Sequence, residues 1–173
     1  MTPSYVELHA HSNFSLKEGA SHIHEMVTRA RELGYPALAL TDHDTLAGAM
    51  TFAQTARALG MQPIIGAEVT LTGGAHLTLL ARTRQGYGDL CRLLSLSHVF
   101  NERRHPELDP ALLPDFAAGL TLLTGCGQGE LARLLQKGQY EEARARASQY
   151  RDWFGSGHVY LELQQNLVRG DTW

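Results

Sequence analysis

The chain has 173 residues, of which 43% are hydrophobic and 19% are charged. This composition is typical of one globular domain and excludes a disordered chain. The formal net charge of −3 excludes a polybasic surface that binds nucleic acid or membrane. It does not exclude a site that binds phosphate through a metal ion. No apolar run approaches the roughly 18 residues of a membrane span, and the N-terminus lacks the features of a signal peptide. The only cysteines, Cys91 and Cys126, make no disulfide framework, so we expect a cytoplasmic location.

Strand and helix signals alternate along the chain. Short apolar runs predict strands at 5–9, 37–41, 63–69, 76–81, 119–124 and 159–163. Helices are predicted at about 22–33, 46–59, 88–99, 130–135 and 140–154, with a long polar loop at 101–114. Thr72-Gly73-Gly74 is a turn signal that favours a hairpin between 69–71 and 76–81. The pattern predicts an α/β fold, either a barrel or an open wound sheet.

Residues that can bind metal follow several of these strands. His9 and His11 end the first strand, His43 follows the second between Asp42 and Asp44, and Glu68 ends the third. Functional groups in α/β folds cluster at the carboxyl ends of parallel strands, so we expect these side chains to meet at one rim. Cys126 follows a later strand. Two interpretations of it remain, a metal ligand and a small buried hydrophobic residue.

The spacing of His9 and His11 supports this interpretation, because residues two apart on a strand point to the same face. His22 and His24 have the same spacing, but on the predicted helix they point about 200° apart and cannot chelate together. Cys91 is predicted to belong to the core of an apolar helix. No spacing signal singles out the remaining histidines, which are predicted to be surface or loop residues: His98, His105 and His158.

The mixed imidazole and carboxylate set predicts an open catalytic centre, because a closed structural zinc site is usually rich in cysteine. Each piece alone also has an ordinary explanation. A lone His9-x-His11 is most often coincidence, Asp42-His43-Asp44 resembles a helix cap, and Glu68 resembles a salt-bridge partner. Together they favour a centre with two or more metal ions, for which phosphoester hydrolysis is a common use.

Several segments in this order resemble the PHP (polymerase and histidinol phosphatase) domain. They are His9-Ala10-His11-Ser12, Phe14-Ser15, Gly19-Ala20-Ser21, 37–43 and Gly66-Ala67-Glu68-Val69. The segments His76-Leu77-Thr78-Leu79-Leu80-Ala81, 86–90 and Gly125-Cys126 extend the likeness to the PHP domains of bacterial DNA polymerase III alpha subunits, replicative or error-prone. The resemblance covers most of the chain, from about residue 5 to residue 163.

The resemblance implies a distorted (β/α)₇ barrel with two or three divalent metal ions, zinc, manganese or iron. Carried over position by position, it implies these metal ligands: His9, His11, Glu18, His43, Glu68, His76 and Cys126. Glu18 departs from the family pattern, in which Asp is usual. His76 opens its strand instead of ending it, so it reaches the shared rim only if that strand is antiparallel to its neighbour. Asp42 is expected to orient a ligand imidazole.

The family's last ligand motif, Asp-x-His on a late strand, does not occur after Leu163. We therefore expect residues 1–173 to be an N-terminal fragment of a PHP domain that lacks its final strand and ligands. This expectation bears on activity, because an incomplete ligand set favours a structural role over a catalytic one.

Three functions remain open at this point. The first is a metal-dependent phosphoesterase that acts on a DNA 3′ end, as a 3′–5′ exonuclease or proofreading domain, beside the remainder of the polymerase subunit. The second is a catalytically inactive structural module of the same polymerase. The third is a phosphatase of the histidinol-phosphate type. None of these three functions requires a membrane.

Overall fold

The computed structural model describes residues 5–164, and a five-stranded sheet lies at its centre. The strands are β1 (Ala37–Leu40), β2 (Gln62–Thr70), β3 (His76–Ala81), β4 (Leu120–Leu123) and β5 (Val159–Tyr160). The helices are α1 (Ile23–Glu32), α2 (Ala49–Ala58), α3 (Arg84–Val99), α4 (Leu113–Phe116), α5 (Glu130–Gln136) and α6 (Tyr140–Phe154), with one 3₁₀ turn at Pro110–Leu112.

The sheet is mixed, with the strands in sequence order. The β1/β2 and β4/β5 pairs are parallel, whereas β2/β3 and β3/β4 are antiparallel. The α/β fold predicted from the sequence is confirmed. Within residues 5–164 the sheet is open, since β1 and β5 are its two ends and do not pair with each other, so the barrel implied by the resemblance is not closed in this part of the chain.

The predicted hairpin is present between β2 and β3. Gly73 and Gly74 have φ of 88° and 77°, a left-handed conformation that glycine adopts without a Cβ penalty. The turn is closed by a hydrogen bond from the Leu71 N–H to the Ala75 carbonyl, 2.7 Å long. Thr70 pairs with His76 across the hairpin, so the start of β3 lies at the same rim as the end of β2.

The first predicted strand is reduced to a single parallel bridge between Glu7 and Leu38. The segment still runs beside β1, because Ala39 donates to the Glu7 carbonyl at 2.9 Å. The strand ends early because side chains replace the backbone acceptors. The His9 N–H donates to the Glu7 carboxylate at 3.2 Å, and the Ala10 N–H donates to the Thr41 hydroxyl at 3.0 Å.

The last predicted strand, 159–163, is also shorter than expected. β5 ends at Tyr160, and the Glu162 N–H donates to the Thr124 hydroxyl at 3.0 Å. A side chain therefore replaces the backbone acceptor that a continued strand requires.

Helix positions follow the predictions with shifted ends. α3 begins before the predicted residue 88 because the Thr83 side chain accepts the Gly86 N–H and caps the helix. The predicted loop at 101–114 contains the 3₁₀ turn and the start of α4. The predicted second helix at 46–59 is shorter, as α2 begins at Ala49.

Two groups of buried side chains hold the layers together. The larger joins β2, β3 and β4 to α3 and α6, and includes Leu79, Leu93, Leu122 and Tyr150, all fully buried. The smaller joins β1 to α1 and α2, and includes Phe52. Full burial of such a side chain contributes about 1.5–3 kcal/mol, so these groups fix the strands whose ends carry the candidate ligands.

The expectations about the absent Asp-x-His motif, the end of the domain and the extreme N-terminus concern positions outside the described residues. Within 5–164, no helix combines the length and the apolar character needed to cross a membrane.

Candidate metal centre

His9 and His11 lie at the end of the N-terminal segment and face the same side. Their Nε2 atoms are 3.3 Å apart, as expected for alternate residues of an extended chain. The segment is held against β1 by the hydrogen bond from the Thr41 N–H to the Ala10 carbonyl, 2.9 Å long. The sheet edge therefore fixes the backbone that carries both imidazoles.

Asp42 organises the loop that follows His11. Its carboxylate, 1% exposed, accepts the backbone N–H and the hydroxyl of Ser12 and the hydroxyl of Ser15, each at 2.7 Å. Ser15 in turn accepts the His43 N–H at 3.0 Å. Asp42 thus joins the loops that carry His11 and His43 through serines, and its hydrogen bonds within 5–164 reach no imidazole.

Glu68 is the centre of the cluster. One of its oxygens, Oε1, lies 3.5 Å from His9 Nε2 and 3.4 Å from His76 Nδ1. The other, Oε2, lies 3.3 Å from His11 Nε2 and 3.7 Å from His43 Nδ1. A single buried carboxylate is therefore shared by imidazoles from three parts of the fold.

Two ligand groups with metal-compatible spacing result from this arrangement. One consists of His9, His11 and Glu68, the other of His43, Glu68 and His76, and within each group the ligand atoms lie within 4.8 Å of one another. Because Glu68 belongs to both groups, the geometry suits two neighbouring cations bridged by one carboxylate.

The remaining sequence candidates, Glu18 and Cys126, lie at the border of the cluster. The Glu18 carboxylate is 2.7 Å from His43 Nδ1 and 3.6 Å from His11 Nδ1, so the longer side chain does reach the imidazoles. The Cys126 thiol donates to Glu68 Oε1 at 3.5 Å and accepts the Gln128 N–H at 3.3 Å. All the ligands implied by the resemblance therefore meet at one rim, while their binding of metal stays a prediction.

The electrostatics of the cluster are dominated by Glu68. Burial would raise the pKa of its carboxyl, but the imidazoles of His76 and His9 hold that pKa well below its usual range. Burial would lower the pKa of His9, yet the hydrogen bonds to Glu162 and Glu68 raise it to about 9. Burial lowers the pKa of His11 and raises that of the Cys126 thiol. The cluster thus combines an ionised carboxylate with imidazole nitrogens able to replace a proton by a metal ion.

The donor set fits a divalent metal. His76 Nδ1 is buried and has no hydrogen-bond partner among residues 5–164, although it lies 3.4 Å from Glu68 Oε1. Its contact with Glu68 is thus electrostatic without a well-formed hydrogen bond, and coordination of a cation would satisfy this nitrogen. Imidazole and carboxylate ligands accept zinc, iron and manganese.

The structure adds Asp44 and Thr70, which sequence reasoning missed. Thr70 Oγ1 lies 2.8 Å from His43 Nε2 and donates to Asp44 at 2.6 Å. His43 Nδ1 consequently faces Glu68 while Nε2 is anchored on the opposite side. The sequence does indicate Asp44, because it stands at the same strand end as His43. Nothing in the sequence indicates Thr70, whose pairing with His76 is seen only in the structure.

Glu162 is the other residue that the sequence analysis missed. Its Oε1 lies 2.6 Å from His9 Nδ1, and its side chain is 10% exposed. The sequence does carry a signal for it, because Glu162 is an acidic residue near the end of the final predicted strand, 159–163.

The histidines assigned to the surface lie outside the two ligand groups. His22 is the N-cap of α1 instead of a residue within it, and its ring stacks on that of His24 with centroids 5.9 Å apart. The predicted helical separation of 200° therefore does not apply to this pair. His98 is exposed on α3 but donates from Nε2 to the Asp44 carbonyl at 2.8 Å. Cys91 is half-buried on α3, so it packs at the margin of the core.

Comparison with known proteins identifies the family of this chain. The PHP domain model matches residues 7–166. An error-prone DNA polymerase of Symbiobacterium thermophilum is 42% identical over 97% of this chain and 17% of its own length. A DNA polymerase III alpha subunit of Treponema pallidum is 36% identical over 94% of this chain and 15% of its own length. The chain thus spans about one sixth of these relatives.

A solved structure of an amidohydrolase from Chromobacterium violaceum is 30% identical, covers 54% of this chain and 33% of that chain, and superposes with a TM-score of 0.46. The family match over residues 7–166 and the identity to the two polymerases agree with the sequence motifs that carry the candidate ligands. The chain belongs to the PHP domain family and is homologous to bacterial DNA polymerase III alpha subunits and error-prone DNA polymerases.

Proposed function

We propose that this chain is the PHP domain of a bacterial DNA polymerase III alpha subunit, replicative or error-prone, and acts as a metal-dependent phosphoesterase. The observation that carries the proposal is the sharing of Glu68 between two histidine groups. The identity to polymerases over nearly the whole chain supports the polymerase context. In this context the domain works in the cytoplasm, beside the remainder of the polymerase.

Two or three divalent ions, zinc, manganese or iron, are proposed to bind at the rim. When bound, such ions supply Lewis acidity toward phosphoryl oxygens and activate water. Glu68 would bridge the ions, His9 and His11 would hold one side, and His43 and His76 the other. Glu18 and Cys126 would add ligands from the border of the cluster.

The proposed substrate is a phosphodiester at a DNA 3′ end. A groove of about 790 Å³ opens beside the ligands and is lined by Phe14, Glu18, His43 and Arg104 among others. Arg104 offers a positive charge for a phosphate, and Phe14, 41% exposed, offers a ring on which a base can stack. These features give an acidic domain a local means of holding a nucleotide.

The test is hydrolysis of a 3′-labelled single-stranded oligonucleotide by the chain with added Mn²⁺ or Zn²⁺. We expect metal-dependent release of mononucleotides that the His9→Ala variant loses and the control His24→Ala retains. A panel of phosphomonoesters run in parallel separates an exonuclease from a phosphatase of the histidinol-phosphate type. Hydrolysis that does not differ between the wild type and His9→Ala would overturn the catalytic assignment.

A second candidate, a structural module without catalysis, is favoured by one observation. The ligands come from the N-terminal segment, the β1 end and the β2–β3 hairpin, so bound metal would join these parts whether or not chemistry follows. This function predicts that metal raises the thermal midpoint while the oligonucleotide stays intact. Equal midpoints with metal and with chelator would contradict it.

A further inference from the structure

Glu162 contacts the edge of the His9 ring that points away from the other candidate ligands. His9 Nε2 is 3.3 Å from His11 Nε2 and 3.5 Å from Glu68 Oε1, so this nitrogen faces the proposed metal. The other nitrogen, Nδ1, lies 2.6 Å from Glu162 Oε1. Glu162 itself belongs to neither ligand group, so its contact with the centre passes through the His9 ring.

The position of Glu162 is fixed by the edge of the sheet. Its backbone N–H donates to the Thr124 hydroxyl at 3.0 Å, and the Thr124 N–H donates to the Tyr160 carbonyl at 3.1 Å in the β4–β5 pair. The Gln164 amide donates to Glu162 Oε1 at 2.5 Å. The carboxylate is thus held just past the end of β5, whereas the segment that carries His9 runs beside β1 at the other end of the open sheet.

An ionised carboxylate is an acceptor only, so when the His9 ring is neutral, as metal binding requires, Glu162 selects the tautomer that carries the proton on Nδ1. That tautomer leaves the lone pair of Nε2 directed toward Glu68 and His11. Carboxylates in this relation to a metal-binding imidazole fix the ring and its tautomer, and their loss typically lowers metal affinity about 10–100-fold.

We propose that Glu162 is a positioning residue that orients His9 for metal binding and makes the centre depend on the docking of the β5 segment. This inference rests on the metal binding of the proposed function but not on hydrolysis. If Glu162 has this role, the site requires residues from both ends of the described sheet, near β1 and near β5. Asp44 and Thr70 hold His43 in a comparable way, so two imidazoles of the centre are oriented from outside.

The experiment is a metal titration of the 173-residue chain with Zn²⁺ in competition with a chromophoric chelator. Glu162→Gln is expected to lower the Zn²⁺ affinity about 10–100-fold, whereas the control Glu142→Gln, an exposed residue of α6, leaves it unchanged. Glu162→Asp keeps the charge and should retain more affinity than Glu162→Gln, which gives a second variant if the amide impairs folding.

A double-mutant cycle separates positioning from a general structural effect. In a His9→Ala background, Glu162→Gln should cause no further loss of Zn²⁺ affinity, because its target is gone. An equal loss in both backgrounds, or wild-type affinity in Glu162→Gln, would overturn the inference. A wild-type chain that binds no Zn²⁺ would overturn the proposed metal centre itself, so the two failures are distinguishable.

Discussion

Replacement of Asp42 should reveal how the loop bearing His11 is held. The carboxylate accepts hydrogen bonds from the Ser12 N–H, the Ser12 hydroxyl and the Ser15 hydroxyl, each at 2.7 Å, and is 1% exposed. Asp42→Ala removes all these acceptors and leaves their donors in a site that water does not reach freely. Asp42→Asn keeps the shape but turns an amide N–H toward one of the donors.

The expected cost follows from these contacts. A hydrogen bond to a charged group contributes about 1.5–3 kcal/mol, and bonds that share one acceptor are not additive. Asp42→Ala should therefore lower the free energy of unfolding by about 3–5 kcal/mol, and Asp42→Asn by about 1–2 kcal/mol. For a chain of this size 1 kcal/mol corresponds to about 2–4 °C, so Asp42→Ala should melt roughly 10 °C lower.

The assay is urea unfolding of the metal-free chain in chelator, followed by circular dichroism. Asp152→Asn, at an exposed position of α6, is the matched control and should unfold like the wild type. If Asp42→Ala also has a free energy of unfolding within about 0.5 kcal/mol of the wild type, the three hydrogen bonds do not hold the loop.

Other substitutions and conditions probe the centre itself. Glu68→Gln should lower the affinity for a first Mn²⁺ or Zn²⁺ at least about 10-fold, since an ionised shared ligand is lost; isothermal titration measures this, and unchanged affinity would rule out bridging. The pKa of His9 in the folded chain, about 9, lies above its ordinary value of 6.5, so its stabilisation is complete below about pH 6.5 and is lost as the pH rises through 9. The free energy of unfolding, measured by urea titration in chelator, should therefore fall over this window by at most on the order of 3 kcal/mol, and a flat profile would contradict the assigned contacts. Gly19→Ala should destabilise the chain by several kcal/mol and weaken metal binding, because its Cβ would lie 1.9 Å from the Ser12 carbonyl oxygen; Gly127→Ala, which meets no atom within 4 Å, is the control in thermal unfolding.

The strand-end rule located most of the centre from the sequence. His9, His11, His43 and Glu68 each follow or end an apolar run. His76, which the resemblance implied, reaches the same rim because the hairpin favoured by Gly73-Gly74 makes its strand antiparallel to β2. These predictions depend only on local periodicity and on turn chemistry, which the sequence carries directly. The α/β class follows from the same local signals.

What escaped prediction depends on contacts between distant elements. Nothing local indicates that Asp42 bonds to serines of the first loop, or that Thr70 stands between Asp44 and His43. Likewise, the first strand is shortened because the side chains of Glu7 and Thr41 accept the N–H groups of His9 and Ala10 in place of backbone acceptors. Such outcomes are decided by three-dimensional neighbours, which periodicity does not specify.

The hairpin of β2 and β3 has a consequence for how the centre assembles. It places Glu68 and His76 on strands joined by a tight turn, whereas His9 and His11 come from a remote part of the chain. The entropy lost on closing a loop grows with its length, so Glu68 and His76 come together at a lower entropic cost than Glu68 and either histidine of the N-terminal segment.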